Sequence, residues 1–241
     1  MSDLLDMVLR AHGGAQRWQR ATAIRANAQV GGLALPTRGQ GDTFADAHLA
    51  LDVQRQHVTF ANFTGPGRLG MYTPHQVAIQ DADGTVRGRR DEPRASFEGL
   101  GPKSTWDQLQ ALYFGGYALW NYLTAPYLLT FPGVQTEEVE PWSEKGEQWR
   151  RLRVTFPADI ATHSTEQTFY YDESGLLRRH DYRVDIQGRS PALAAHYTEA
   201  HRTVSGLVFP THRFVVPVAE DNTSLPGPVI LAIDLPEISV A

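Results

Sequence analysis

A chain of 241 residues, 41 % of them hydrophobic, with 22 Lys+Arg against 27 Asp+Glu and a net charge of −5, can bury a large core as one domain. It has no basic surplus that would draw nucleic acid or anionic lipid. The lack of cysteine excludes disulfides, thiol catalysis and Cys-ligated zinc or iron–sulfur centres.

The opening MSDLLDMVLRAHGG is acidic, and its apolar run is broken by Asp6 and Arg10. A secretory signal needs a basic start and a longer apolar core, so these residues lead us to expect a cytoplasmic protein. Leu4, Leu5, Val8 and Ala11 share one helical face, Gly13 and Gly14 can end the helix, and Trp18 closes a further turn, giving an N-terminal helical segment over 3–20. From Ala21 the texture turns to strand, with Ile24, Ala26, Ala28 and Val30 alternating with polar residues. Short alternating pieces follow around 49–53, 58–63, 69–73, 76–81 and 85–90, a meander over 21–91 whose GPGRLG string at 65–70 reads as a hairpin turn because no helix pattern follows it.

Residues 104–131 differ from everything around them. No charged side chain occurs between Asp107 and Glu137. Ser104 with Asp107 three residues on reads as an N-cap, Pro126 as a kink or stop, and the positions between are apolar nearly all round. The length would suit a membrane span, but Gln108, Gln110, Asn121, Gly115-Gly116 and Pro126 interrupt it and aromatics replace the usual aliphatic residues. The spacing therefore predicts a central helix over 104–131, buried in the mouth of a curved sheet and acting as its lid. Long alternating strands over 134–238 complete the pattern, including a hairpin through Asp172-Glu173-Ser174-Gly175. The expected fold is α+β and mainly antiparallel β, one domain over 1–241: a curved half-barrel of about ten strands wrapped around the apolar helix.

The order of these elements, with AHGG followed by Trp18, the hairpin FYYDESGLLRRHDYRVD and the strand–turn–strand SGLVFPTHRFVV, resembles the LolA-like superfamily of lipoprotein-carrier and sorting proteins. That resemblance implies an unclosed β-barrel with helices plugging its opening and an apolar cavity between them. Typical members are periplasmic and begin with a signal peptide or lipid anchor, so the resemblance is carried over for the fold and the cavity and not for lipoprotein traffic.

On the strand from Leu176, His180, Tyr182, Val184 and Ile186 share a mainly apolar face, while Arg179, Asp181, Arg183 and Asp185 share the other, read as solvent. His180 is thus placed to act as a base or to hydrogen-bond a ligand. His196 and His201 are five positions apart and point to opposite faces of a regular strand, and His212 shares a face with Phe214 and Val216. We expect no metal site and no cofactor. Asp181, Glu199 and Asp234 read as charges on an outer face.

Aromatics crowd the central segment, and rings of that size leave irregular gaps. Trp106, Tyr113, Tyr117 and Trp120, with Phe60 and Phe214 from the strands, are the expected ligand-binding side chains. The function these features point to is binding of a hydrophobic small molecule or lipid. The alternative is an isomerase, cyclase or hydrolase using His180, His212 and Tyr182 as proton carriers in the same cavity.

Overall fold

A computed structural model describes residues 3–101, 103–188 and 192–241; residues 1, 2, 102 and 189–191 lie outside the described residues. The first meander comprises β1 (Ala23–Gly31), β2 (Ala47–Asp52), β3 (Val58–Ala61), β4 (Leu69–Thr73), β5 (Gln76–Gln80) and β6 (Val86–Asp91). The second comprises β7 (Gln135–Glu144), β8 (Glu147–Thr155), β9 (Glu166–Tyr171), β10 (Leu177–Arg183), β11 (Leu193–Val204), β12 (Leu207–Pro217) and β13 (Leu231–Val240). All thirteen lie in one sheet of order β6-β5-β4-β3-β2-β1-β13-β12-β11-β10-β9-β8-β7. Every neighbouring pair is antiparallel. The count exceeds the expected ten because short pieces such as β3 and β4 pair on both sides and so are strands in their own right.

The two meanders join through β1 and β13, and β6 and β7 are left as free edges. Both edges carry the features that keep exposed strands from recruiting another chain: Arg87, Arg89 and Arg90 on β6, and Glu137, Glu138, Glu140 and Pro141 on β7. The sheet is unclosed, and the chain crosses from one edge to the other through its helical segment.

The N-terminal helical segment over 3–20 consists of α1 (Asp3–Ala11), ended by Gly13-Gly14, and the further turn α2 (Ala15–Trp18). The break between them packs on the β11–β12 turn: a Cβ on Gly13 would sit 2.2 Å from the Gly206 carbonyl oxygen. Arg17 Nη1 donates to the carbonyls of both Gly13 and Gly206. The AHGG and SGLVFP strings are therefore two halves of one contact.

The apolar helix α3 runs over Gln108–Thr124, shorter than the expected 104–131. Its N-cap is Asp107 rather than Ser104. The Asp107 carboxylate accepts from Gln110 N at 2.8 Å while the Gln110 side chain accepts from Asp107 N at 2.9 Å, a reciprocal capping box. Arg90 holds the same carboxylate at 2.7 Å, and the Ser104 hydroxyl is instead occupied by Gly101 N. The helix stops at Ala125 ahead of Pro126, and a short 3-10 turn, Tyr127–Thr130, leads to β7.

Every residue of α3 from Gln110 to Thr124 is buried. Its close approaches to the sheet are to β3, β4, β5 and β6, and two glycines set how close: a Cβ would fall 2.3 Å from Phe44 Cζ at Gly115 and 2.2 Å from Tyr72 Cγ at Gly116. Tyr72 Cγ is the root of its ring and cannot swing clear. Glycine to alanine inside a helix ordinarily stabilises by about 1 kcal/mol. Gly116→Ala should reverse that sign and lose about 2 kcal/mol through overpacking, read as a lower urea midpoint.

The outer face of β10 departs from the expectation of solvent. Arg179 and Asp181 are buried beneath the β12–β13 connection, whose Asn222 accepts from Arg179 Nη2 through both its carbonyl and its side-chain oxygen at 2.9 Å. Around them packs a second apolar cluster, Trp149, Tyr170, Ala195, Tyr197 and Val216, with Trp142, Phe214 and Val218 against it. Connection 218–226 is thus a roof, anchored by Leu225 N donating to the Pro217 carbonyl and by a bridge between Val218 and Ser224.

Candidate functional site

Between α3 and the inner face of β9–β12 lies a seam of polar groups in an otherwise apolar interior. From α3 come Tyr117 and Tyr122, from the β8–β9 connection His163, and from the sheet Tyr182, His180 and His196, the last two being direct cross-strand partners. All but His180, which bonds Gln167, form one hydrogen-bonded chain. Tyr117 OH meets His163 Nδ1 at 3.0 Å, His163 Nε2 meets Tyr122 OH at 2.7 Å, Tyr122 OH meets Tyr182 OH at 2.9 Å, and Tyr182 OH meets His196 Nδ1 at 3.3 Å. The His163 ring also stacks on Tyr182 at 4.1 Å and 8°.

Burial holds His163 at a pKa of about 3 and pushes His180 and His196 well below their ordinary 6.5. At neutral pH these imidazoles are uncharged. A neutral imidazole has one donor and one acceptor nitrogen, so the two phenols on His163 play opposite roles. The chain therefore has a single hydrogen-bond direction at that ring.

Beside the seam is Arg213, 2 % exposed. Its Nη2 donates to the Tyr122 carbonyl at 2.8 Å and its guanidinium carbon lies 5.3 Å from the Tyr122 ring centre. Burial lowers its pKa to about 10, and the phenols of Tyr122 and Tyr182 are the groups that oppose the fall. Its Nε is buried with no partner. A cavity of about 10 Å³ adjoins it, lined by Asn121, Gln167, Phe169, His180 and Leu128 among others. That is room for about one water.

The structure brings His180 and Tyr182 together on the inner face, as the alternation on β10 implies. His180 Nε2 lies 2.5 Å from Gln167 Oε1, and its ring stacks on Phe169 at 3.9 Å. His212 is elsewhere: it faces outward and pairs with Asp234 at 2.7 Å. Phe214 packs in the outer cluster, and Asp181 meets Arg179 rather than Asp234 or Glu199. Tyr113, Tyr117 and Trp120 lie in the main core on α3, with Trp120 Nε1 donating to the Asp52 carbonyl at 2.8 Å. Phe60 sits edge-on to Phe44, and Trp106 packs between Phe97, Phe114 and the Arg38 guanidinium. Tyr113, Tyr117 and Trp120 occupy the space in which a void was expected.

Two groups escaped the sequence reading. His163 lies in a connection without periodicity, where no local signal marks it as buried. Arg213 alternates with His212 and Phe214 on a strand apolar on both faces, so parity does not tell inside from outside.

An unclosed sheet of thirteen antiparallel strands with one long apolar helix packed on it is the class this architecture defines, and the chain has a LolA-like fold. Over 98 % of its length it is similar to a LolA superfamily protein from Nitrosomonas europaea (TM-score 0.54, 7 % identity, 92 % of that chain). It is also similar to a DUF1329 family protein from Desulfovibrio piger (0.52, 11 %, 98 % of this chain and 91 % of that one). A third likeness is to a Vibrio parahaemolyticus domain provisionally described as an outer membrane lipoprotein-sorting protein (0.53, 9 %, 98 % and 91 %). No protein-family model and no curated protein matches the sequence. The neighbours overturn the cytoplasmic expectation, which rested on the first fourteen residues alone: the fold is shared with a protein described as sorting lipoproteins of the outer membrane.

Proposed function

We propose that this chain binds the apolar part of a lipid or similar hydrophobic molecule between α3 and the inner face of β9–β12, with α3 as a movable plug. The observation that carries this reading is the unequal way α3 meets the two halves of the sheet. Toward β3–β6 it packs closely, with Gly116 leaving no room for a Cβ beneath the Tyr72 ring of β4. Toward β10 and β12 it is held by hydrogen bonds, from Tyr122 to Tyr182 and from Arg213 to the Tyr122 carbonyl. Hydrogen bonds are exchangeable for bonds to water or to a guest at small net cost, whereas close packing is not. The seam is the plane along which the interior parts.

A cavity of about 10 Å³ does not admit an acyl chain, so room comes from displacement of α3, exposing Tyr117 and Tyr122, the α3 side chains on the seam, as the lining. The names of the LolA superfamily and lipoprotein-sorting neighbours support a lipidic guest. Acid–base chemistry through His180 and Tyr182 is the weaker reading, because the third expected proton carrier, His212, lies on the outer surface.

Uptake of a fluorescent fatty-acid analogue by the purified protein tests the proposal. Tyr182→Phe, which removes the phenol bond to Tyr122 across the seam and the one to His196 within the sheet, should lower stability by about 1–2 kcal/mol and speed uptake several-fold. Absence of uptake by the wild-type protein, together with an organic extract free of bound lipid, would sink it.

A further inference from the structure

Three arginines are buried among the described residues, and two are provided for. Arg179 is paired with Asp181 at 2.6 Å and with Glu144 at 2.9 Å. Arg38 donates to the carbonyls of Gly101 and Ser104 at 2.7 and 3.1 Å. Arg213 has one carbonyl and the face of one ring, and among the described residues no carboxylate pairs with it. It alone of the three keeps a buried guanidinium N–H without a partner. A guanidinium stays protonated in proteins, so it cannot escape this situation by losing charge.

An uncompensated buried charge is among the more expensive things a fold can contain, and an apolar residue of similar volume is ordinarily no worse there. The groups around Arg213 fit a negative guest. Those nearest the cavity are neutral and polar, namely Asn121, Gln167, His180 and Tyr122, and the rest of the lining is apolar, including Leu128, Phe169 and Phe156. The space at the guanidinium is water-sized and lies on the seam along which α3 would part.

We propose that Arg213 is the receptor for the charged end of the guest, and that the guest is a long-chain carboxylic acid: a single carboxylate at the guanidinium, with the hydrocarbon running along the parted seam. This rests on the lipid-binding reading and adds to it the charge and position of the ligand's polar end. In the loaded state the carboxylate takes up the free Nε–H and replaces the Tyr122 carbonyl on Nη2. An Arg–carboxylate pair of that geometry is bidentate and charge-assisted.

The test compares palmitic acid with 1-hexadecanol, equal in chain length and differing in the charge of the end group. Affinity is measured by displacement of a fluorescent probe from the wild-type protein and from Arg213→Met. The wild-type protein should prefer the acid by roughly 30-fold, as a charge-assisted hydrogen-bonded pair would give. Arg213→Met should reduce the preference below about 3-fold. Equal affinity of the wild-type protein for acid and alcohol overturns the assignment while leaving lipid binding standing; that comparison needs no variant and holds even if Arg213→Met fails to fold. A preference that survives Arg213→Met also overturns it, and failure of both compounds to bind removes this inference and the lipid-binding reading together. Sodium acetate, which carries the carboxylate without the chain, should not displace the probe at millimolar concentration; displacement by acetate would mark a site for small anions and refute the long-chain assignment.

Discussion

Taking the protein from pH 7 to pH 5 is expected to remove at least about 4 kcal/mol from its folding free energy, a loss read as a fall in the urea midpoint. His163 has its pKa lowered to about 3 and His12 to about 4, in each case chiefly by burial. Both are neutral in the fold, whereas in the unfolded chain each takes up a proton near 6.5, so acidification favours the unfolded state. The stability they contribute is complete above pH 6.5 and is lost as the pH falls toward 4 and 3. From 6.5 to 5 each loses about 2 kcal/mol, since one pH unit in that window is worth 1.36 kcal/mol per group. His180 and His196 are shifted in the same direction for the same reason and add to the loss. His12 is fixed by Val8, whose carbonyl lies 2.9 Å from its Nδ1, and its own carbonyl accepts from Tyr127 OH at 2.7 Å. A midpoint unchanged between pH 7 and 5 would mean that these rings are hydrated in solution.

The second large effect belongs to the outer face. Asp181→Ala should cost about 3–4 kcal/mol, because it leaves Arg179, which has no exposed surface, with only Glu144 and Asn222 to meet its charge. Burial pushes the Asp181 carboxyl up while Arg179, Tyr170 and Asn222 pull it down, and the guanidinium is held still more firmly charged by the pair. We take the pair as ionised, since arginine does not yield its proton. Changing both residues, with Arg179→Met added to Asp181→Ala, should recover part of the loss, since the guanidinium is then gone and Glu144 keeps its bonds from Trp142 and Tyr197. Chemical denaturation of the wild type and three variants closes this cycle; equal losses for the single and double variants would show that packing, not charge, is at stake.

These two results mark where the sequence was legible and where it was not. The alternation on β10 places His180 and Tyr182 inside correctly, because the inner face is a run of rings and the parity of one strand is a local property. It could not show that Arg179 and Asp181 are buried as well, since their cover comes from residues 218–226, some forty positions away. The apolar segment was readable as a buried helix from its lack of charge, but its start was misplaced by three residues: Ser104 and Asp107 are both good caps, and only Arg90 and Gln110 decide between them. A void does not follow from the number of aromatic residues in a segment. Ring count does not fix packing density, and Gly115 and Gly116, visible in the sequence, let Phe44 and Tyr72 close the gap.

The position of α3 between β6 and β7 has a kinetic consequence. Because the helix is spliced covalently to both rims of the sheet, it cannot diffuse away. Any parting of helix and sheet is then first order in protein, at a rate that does not change with dilution.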